Sequence, residues 1–561
     1  MQAVNLIGAN RKQWASDAGR AWVALLTRAI PYALVSSCFA VYISTLTSAY
    51  TYDSIAYATQ IREYVAMSKP GWLFHPHHLL YNPLGYYSWK LLSWFGLSVD
   101  PLKSLQYMNA LFGALGVVLI YEILRRGGLC VSRTCTTEKG TGVFPALTAA
   151  LIMSTAYGYW TCATDGRVNI PALIGVMLVA GLGWGMLSLP SIKQAIALAA
   201  VTILAVLLHQ SNGLLVFAGL GSVLISDASW RQRLQLSLIY ISVFILGIAG
   251  AYLGVGVFIK GARSISELQA WMLAYAHDGR WWSFNIQENL QQDLHALTRV
   301  FITTESPWGA KLSFVILAAL IGVLAYVALR FVYRYRGINH SSQKSAILAI
   351  IAVPYAAFFT IWNPGYFVFW LPTGLALVMW FAMAVSEMRP RWNYALSIIG
   401  LLWVAAALTI NVPMISYRIH RAHNPNLTIC DALKKHTHAG DMVLITGTYL
   451  QPTATMSYLE VYMPYFTRVS VKNTLGECKY WHGNIRQTVY SLRGVIQNRI
   501  NNGHQVFILK EFLSVDTWNK LQQRYSNANG MQNSILLGYK LQPITHAGEL
   551  LAYRLVPYKT L

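Results

Sequence analysis

Asp53 stands in the run Thr51-Tyr52-Asp53-Ser54-Ile55-Ala56-Tyr57, just past the first long apolar segment. A Trp- and His-rich stretch follows, with Trp72, His75, His77, His78 and Tyr81 inside ten residues. A carboxylate in a wet loop at the mouth of an apolar segment keeps its ionised form available. It can therefore take a proton from a hydroxyl, a role that contributes roughly 10²–10⁴-fold where the base is well positioned. Helix capping is the better account of an Asp here on local grounds alone, because a helical pattern runs from Ile55 to Met67 and Asp is a favoured N-cap; the aromatic and His-rich setting favours catalysis.

A second acid, Asp165, follows the aromatic run Tyr157-Gly158-Tyr159-Trp160, with Arg167 two residues on. A guanidinium fork suits phosphate oxygens, so this pair reads either as an acid and a phosphate holder or as an exposed interfacial ion pair. Arg62, Arg263 and Arg280 are further cations placed to hold an anionic group. His75, His77 and His78 lack a Cys or acid at the usual ligand spacing for zinc. They read as neutral imidazoles lining a sugar or phosphate pocket, or as an ordinary hydrogen-bonded loop. His209 opens a polar break, His209-Gln210-Ser211-Asn212, between two apolar segments. Polar groups there are costly unless they face a cavity. Trp271, Trp281 and Trp282 can stack on sugar or sit in an interfacial belt.

The elements that must position these groups are membrane helices. The chain has 561 residues, 55% hydrophobic and 11% charged, with mean hydropathy +0.41. Segments of about 20 apolar residues cross a hydrocarbon core of about 30 Å. About eleven such spans are expected, near 29–48, 104–124, 142–161, 168–188, 192–209, 212–227, 235–259, 311–332, 345–362, 366–386 and 393–411. The net charge of +22 falls mostly in loops that share one side if the N-terminus is cytoplasmic. That pattern argues for anionic lipid as a partner rather than nucleic acid. The loops 49–103 and 260–310 then lie outside, together with Asp165, His209, Asn363 and everything after residue 411. Tyr86 to Leu97 is short, apolar and aromatic, and reads as a helix lying in the outer interface. The basic N-terminal arm reads as preceding a retained anchor rather than a cleaved signal.

After Asn411 the pattern changes. Strands at 441–447 and 506–509, and short segments at 534–539 and 550–555, alternate with helical stretches at 429–438, 485–501 and 515–525. This implies a small α/β domain over 412–561, without a Gly-rich phosphate fingerprint. Cys430 and Cys478 fall within it and are candidates to pair.

The layout resembles the GT-C superfamily of polytopic glycosyltransferases, which use polyprenyl-phosphate-linked sugars and include protein O-mannosyltransferases and the lipid A aminoarabinose transferase. Three motifs carry the resemblance. They are Tyr52-Asp53-Ser54, the run from Tyr157 to Arg167, and Trp362-Asn363-Pro364-Gly365-Tyr366 continuing to Pro372. Many members carry adjacent acids in the first loop, where this chain has Asp53 alone. The resemblance implies an enzyme of the bacterial inner membrane, with 1–411 as transmembrane module and 412–561 as an extracytoplasmic domain. It implies transfer of one sugar from a polyprenyl-phosphate donor to a lipid, glycan or protein acceptor, with inversion and Asp53 as base. Asp165 would be a second catalytic acid. Arg62, His75, His77, His78, Tyr81, Arg167, His209, Arg263, Arg280 and Asn363 would bind substrate. No nucleotide cofactor is expected; a divalent metal is compatible, but no ligand spacing indicates one. A transporter or flippase for a lipid-linked sugar, which would carry repeats and broken helices in matching positions, is the alternative, with a non-catalytic assembly partner beside it.

Overall fold

The computed structural model describes residues 27–130, 141–273, 281–309, 340–447, 458–546 and 548–558, with a few positions between 311 and 322. The span expected at 311–332 therefore lies almost wholly outside the described residues, as do Arg280 and Cys135.

The chain divides into two compact units, Met1–Leu46 with Gln60–Ser416, and Thr47–Thr59 with Tyr417–Leu561. The first is helical. Its elements are α1 (27–44), the later turns of α2 (Tyr52–Met67), α3 (Tyr81–Trp94), α4 (Pro101–Arg126), α5 (Val143–Thr155), α6 (Tyr157–Ala163), α7 (Asn169–Ser188), α8 (Ile192–Leu208) and α9 (Leu215–Leu224). There follow α10 (Trp230–Leu253), α11 (Ile265–Met272), α12 (Ile286–Phe301), α13 (His340–Ile361), α14 (Leu371–Ser386) and α15 (Pro390–Ile419).

Among the described residues six helices are long and apolar enough to cross a membrane, and three shorter apolar helices accompany them. Helices α7 and α14 are buried nearly all round, whereas few residues of α10 are buried. Apolar helix faces that no protein covers are solvated by lipid, and the chain is a multi-pass helical membrane protein.

One expected span is interrupted, and the polar break expected between two others forms. The one at 142–161 breaks at Ala156, whose extended backbone ends α5 and starts α6. The break at 209–214 is a 3-10 turn. Both breaks are satisfied by side chains, as irregular backbone at membrane depth requires. Asn411 donates to the carbonyls of Thr155 and Phe301, each at 2.9 Å. Asn212 donates to Ala172 and Ala205. The short apolar stretch at Tyr86–Leu97 falls largely in α3, whose Tyr87, Leu91 and Trp94 are exposed along one stripe. Cys130 is disulfide-bonded, a state uncommon on the reducing cytoplasmic side where the charge pattern puts it.

In the second unit, α16 (Pro425–Leu433), α17 (Leu459–Thr467), α18 (Thr474–Tyr480), α19 (Ile485–Asn501), α20 (Val515–Arg524) and α21 (Met531–Leu536) accompany five strands. These are β1 (Met442–Ile445), β2 (Ser470–Asn473), β3 (Val506–Leu509), β4 (Tyr539–His546) and β5 (Glu549–Pro557), in the order β2-β1-β3-β5-β4. β1 lies parallel to both β2 and β3, with Val443 opposite Val471 and Phe507. β1 and β3 are buried along their length, as parallel strands covered on both faces must be. β5 pairs antiparallel with β3 and with β4. The segment expected at 534–539 is mostly helix and turn, with the strand starting at Tyr539. Cys430 and Cys478 are both free and buried, so the candidate pairing is not made. Burial pushes both thiols up, Cys478 to about 11.

Candidate functional site

Asp53 sits in the second unit. The helix begins at Tyr52, one turn earlier than the Ile55 start expected, so Asp53 lies in its first turn and is not the N-cap. That position belongs to Thr51, whose hydroxyl is 2.6 Å from the Ser54 hydroxyl. The Asp53 side chain is exposed, and a first-turn carboxylate is favoured by the helix dipole.

The segment before it is held by the far end of the chain. The Tyr462 hydroxyl donates to the Tyr50 carbonyl at 2.6 Å, and the Asn424 amide donates to the Ser48 carbonyl at 2.7 Å and to the Tyr462 hydroxyl at 2.9 Å. Arg418 reaches the Ala49 carbonyl at 3.2 Å. Tyr50 stacks on Phe466, and Tyr52 meets Tyr458 edge-on.

In the first unit, Asp165 and Arg167 are paired and buried. Arg167 Nε is 3.2 Å from Asp165 Oδ2, with side chains 4% and 0% exposed. The exposed interfacial pair considered from sequence is therefore not what forms. Asp165 Oδ1 accepts from the Gly166 N–H at 2.8 Å. Asn109 on α4 donates to the carbonyls of Asp165 and Arg167 at 2.6 and 2.5 Å, and Gln106 donates to Thr164. Tyr81 reaches Asn109 at 3.5 Å. Asn109 and Gln106 were overlooked in the sequence, yet two amides inside an apolar helix were a usable signal, because such groups persist only where they have work.

His75, His77, His78 and His209 also come together. Ring centroids are 5.4 Å apart for His75 and His78, 5.6 Å for His75 and His77, and 4.8 Å for His78 and His209. Backbone bonds knit this cluster, Leu80 N–H to the Leu207 carbonyl and Gln210 N–H to the His77 carbonyl. Tyr252 donates to the Pro76 carbonyl. Burial pulls His75 down to about 3, helped by the His77 and Lys260 charges, and pulls His77 down to about 4. The imidazoles are neutral at physiological pH. Among the described residues no three His, Cys, Asp or Glu side chains are grouped to hold a metal ion.

His209 opens onto a cavity of about 310 Å³, its mouth included, lined by Asn169, Ser211, Asn212, Tyr355 and a larger number of apolar residues from α7, α13 and 368–372. Among the described residues no formally charged side chain lines it. Its polar edge is internally bonded, with His209 Nδ1 2.7 Å from the Ser211 hydroxyl and Tyr355 donating to Asn212 at 2.5 Å.

The loop bearing Asn363 is shaped by α12. Asn363 N–H bonds the Trp281 carbonyl at 2.6 Å, and Trp282 and Trp362 form a β-bridge. Asn363 takes φ 53°, a left-handed conformation that Asn tolerates better than most residues. Asn289 donates to the Ser283 and Thr360 carbonyls. Buried Asp293 accepts from the Gly365 N–H at 3.0 Å. Burial pushes the Asp293 carboxyl up, and that hydrogen bond opposes the shift. Arg299, near the end of α12, lies over Phe367 at 5.0 Å and Tyr157 at 6.0 Å and pairs with Glu305. It thus joins the second and third motifs. Nothing in its local sequence marked it. Of the other predicted residues, Arg62 is half-buried on α2, and Arg263 is exposed ahead of α11. Arg280 is outside the described residues.

No known family profile matches the chain, and no curated protein matches it in sequence. Solved structures do match. ArnT from Cupriavidus metallidurans, bound to undecaprenyl phosphate, aligns at TM-score 0.56 and 14% identity over 95% of this chain and 98% of that one. Its apo state aligns at 0.58 and 14%, over 96% and 98%. The oligosaccharyltransferase of Archaeoglobus fulgidus aligns at 0.52 and 11%, over 95% of this chain and 75% of its own. The chain shares the fold of these structures along nearly its whole length. The similarity is one of fold; at these identities it assigns no residue a role.

Proposed function

We propose that this protein is an integral-membrane glycosyltransferase that moves one sugar from a polyprenyl-phosphate donor to an acceptor hydroxyl or amine on the extracytoplasmic face. The observation that carries this reading is an exposed carboxylate, Asp53, in the first turn of the helix that follows the first apolar helix of a GT-C fold. Asp53 takes the acceptor's proton. The acceptor's lone pair forms the new bond to the anomeric carbon as the bond from that carbon to the phosphate oxygen breaks, and polyprenyl phosphate leaves with the electron pair. Direct displacement inverts the anomeric centre. The lipid end of the donor stays in the bilayer, which favours an enzyme whose apolar helices face lipid. The donor carries its own activated bond, so this chemistry calls for no nucleotide.

The test is turnover by purified protein in lipid with a panel of radiolabelled polyprenyl-phosphate sugars, wild type against Asp53→Asn. Transfer lost in the variant, with folding intact, is the expected result. Transfer that persists in Asp53→Asn would move the base elsewhere. Facilitated movement of a lipid-linked sugar across vesicles without transfer would replace the reading by the transport one.

A further inference from the structure

Helix α12 has two unlike faces besides the buried one. Ile286, Leu290 and Leu294, spaced four apart, are 48%, 55% and 44% exposed, and Phe284 just ahead is 73% exposed. Such a stripe is unfavourable in water and stable against acyl chains. The helix is tied to membrane helices at both ends, through Asn289 to the Thr360 carbonyl and through the Thr303 N–H to Asn411. Its occupant is therefore the bilayer interface. The opposite face carries Gln291, His295 and Arg299, all placed toward the headgroup layer when the stripe is embedded.

Arg299 is built unlike a helix-end ornament. Its guanidinium lies on the aromatic ledge of Phe367 and Tyr157, which fixes its plane. Its Nε is buried and has no hydrogen-bond partner among the described residues. Its one charged partner there is Glu305, on the exposed turn after the helix. A planar guanidinium laid on an aromatic ledge, with its terminal nitrogen on an exposed carboxylate, presents to the outside the charge and donors that suit a phosphate oxygen.

We infer that Arg299 holds the phosphate of a membrane lipid, and that Glu305 is the resting counter-anion the phosphate displaces. This rests on the lipid-phosphate reading of the site. It names a residue absent from the cations singled out in the sequence.

Binding of polyprenyl phosphate to the full chain in neutral-lipid nanodiscs tests it without requiring turnover. Arg299→Gln is expected to raise Kd at least tenfold, Arg299→Lys to raise it less, and Glu305→Gln to lower it several-fold. A merely structural ion pair predicts that Glu305→Gln weakens binding as Arg299→Gln does, and that result would overturn the inference. So would an unchanged Kd in Arg299→Gln, or wild-type binding of the parent polyprenol with equal affinity. Competition by phosphatidylglycerol assigns the seat to lipid headgroup phosphates in general, and resistance to it assigns the seat to the donor. Both keep Arg299 as the holder, whereas equal competition by inorganic phosphate overturns the interfacial placement. Arg299-dependent binding without sugar transfer from any donor would sink the glycosyltransferase reading alone. Transfer with Arg299-independent binding would sink this inference alone.

Discussion

Asp53 and Asp165 begin as similar prospects. Each follows an apolar helix, and each has tyrosines near it in the chain. The protein treats them in opposite ways. Asp53 is exposed in a first turn, on backbone anchored at Ser48, Ala49 and Tyr50. Asp165 is fully buried, with one oxygen on Arg167 and the other on the Gly166 amide. A carboxylate can serve as base only if substrate and proton can reach it. Fixed backbone beneath an exposed side chain suits chemistry, and a buried side chain held by internal bonds suits framework.

That contrast is open to attack at several points. The largest effect is expected for Asp53→Asn, a loss of roughly 10²–10⁴-fold in transfer with thermal stability nearly unchanged. Equal activity would erase the distinction. Asp165→Asn should act through the fold, because it removes the carboxylate charge that pairs with the buried Arg167 guanidinium. About 3–5 kcal/mol of stability is at stake, read as a drop in melting temperature in detergent. Full stability with lost turnover would instead make Asp165 catalytic. Asn109→Ala removes the donor shared by the Asp165 and Arg167 carbonyls and should cost about 1–3 kcal/mol in the same assay.

Acidification probes the histidine cluster beside this framework. His75 and His77 titrate near 3 and 4 when folded and near 6.5 when unfolded. The unfolded chain therefore binds more protons between pH 6.5 and about 4. Stability should fall as pH drops through that window, by at most about 1.4 kcal/mol per pH unit for each group. His77→Gln should flatten the slope of melting temperature against pH, and an unchanged slope would show that other groups govern it. The smallest effect is expected for Tyr462→Phe, which removes the donor to the Tyr50 carbonyl. It should cost about 1 kcal/mol and lower kcat several-fold with little change in KM. Unaltered kcat would detach Asp53's geometry from that anchor.

The membrane character, most helices and the parallel strands were legible because each is a local hydrophobic pattern. α19 and β3 fall at Ile485–Asn501 and Val506–Leu509, where the periodicity puts them. The break at 210–214 was legible from its polar run, whereas the one at Ala156 was not, since the group that satisfies the freed Thr155 carbonyl is a remote amide, Asn411, rather than a local breaker. β2 was missed because Ser-Val-Lys-Asn has no apolar run; it exists through its pairing with β1. The motifs containing Asp53, Asp165 and Asn363 could be found from residue types. The residues that hold them, Tyr462, Asn109 and Asn289, are ordinary in their own neighbourhoods. Only the fold brings them to the motifs. Arg299 went unnoticed for the same reason, its aromatic ledge coming from two distant segments.

The anchor on Tyr50 also sets an order of events during synthesis. Its hydrogen bonds join residues 376 and 412 positions apart. At usual elongation rates the segment around Asp53 leaves the ribosome roughly 20–80 s before its partners exist. Through that interval the membrane helices can insert while the turn before Asp53 lacks those bonds. A nascent or C-terminally truncated chain would therefore carry its carboxylate without the anchor, and the finished geometry would appear only once the last quarter of the protein has folded.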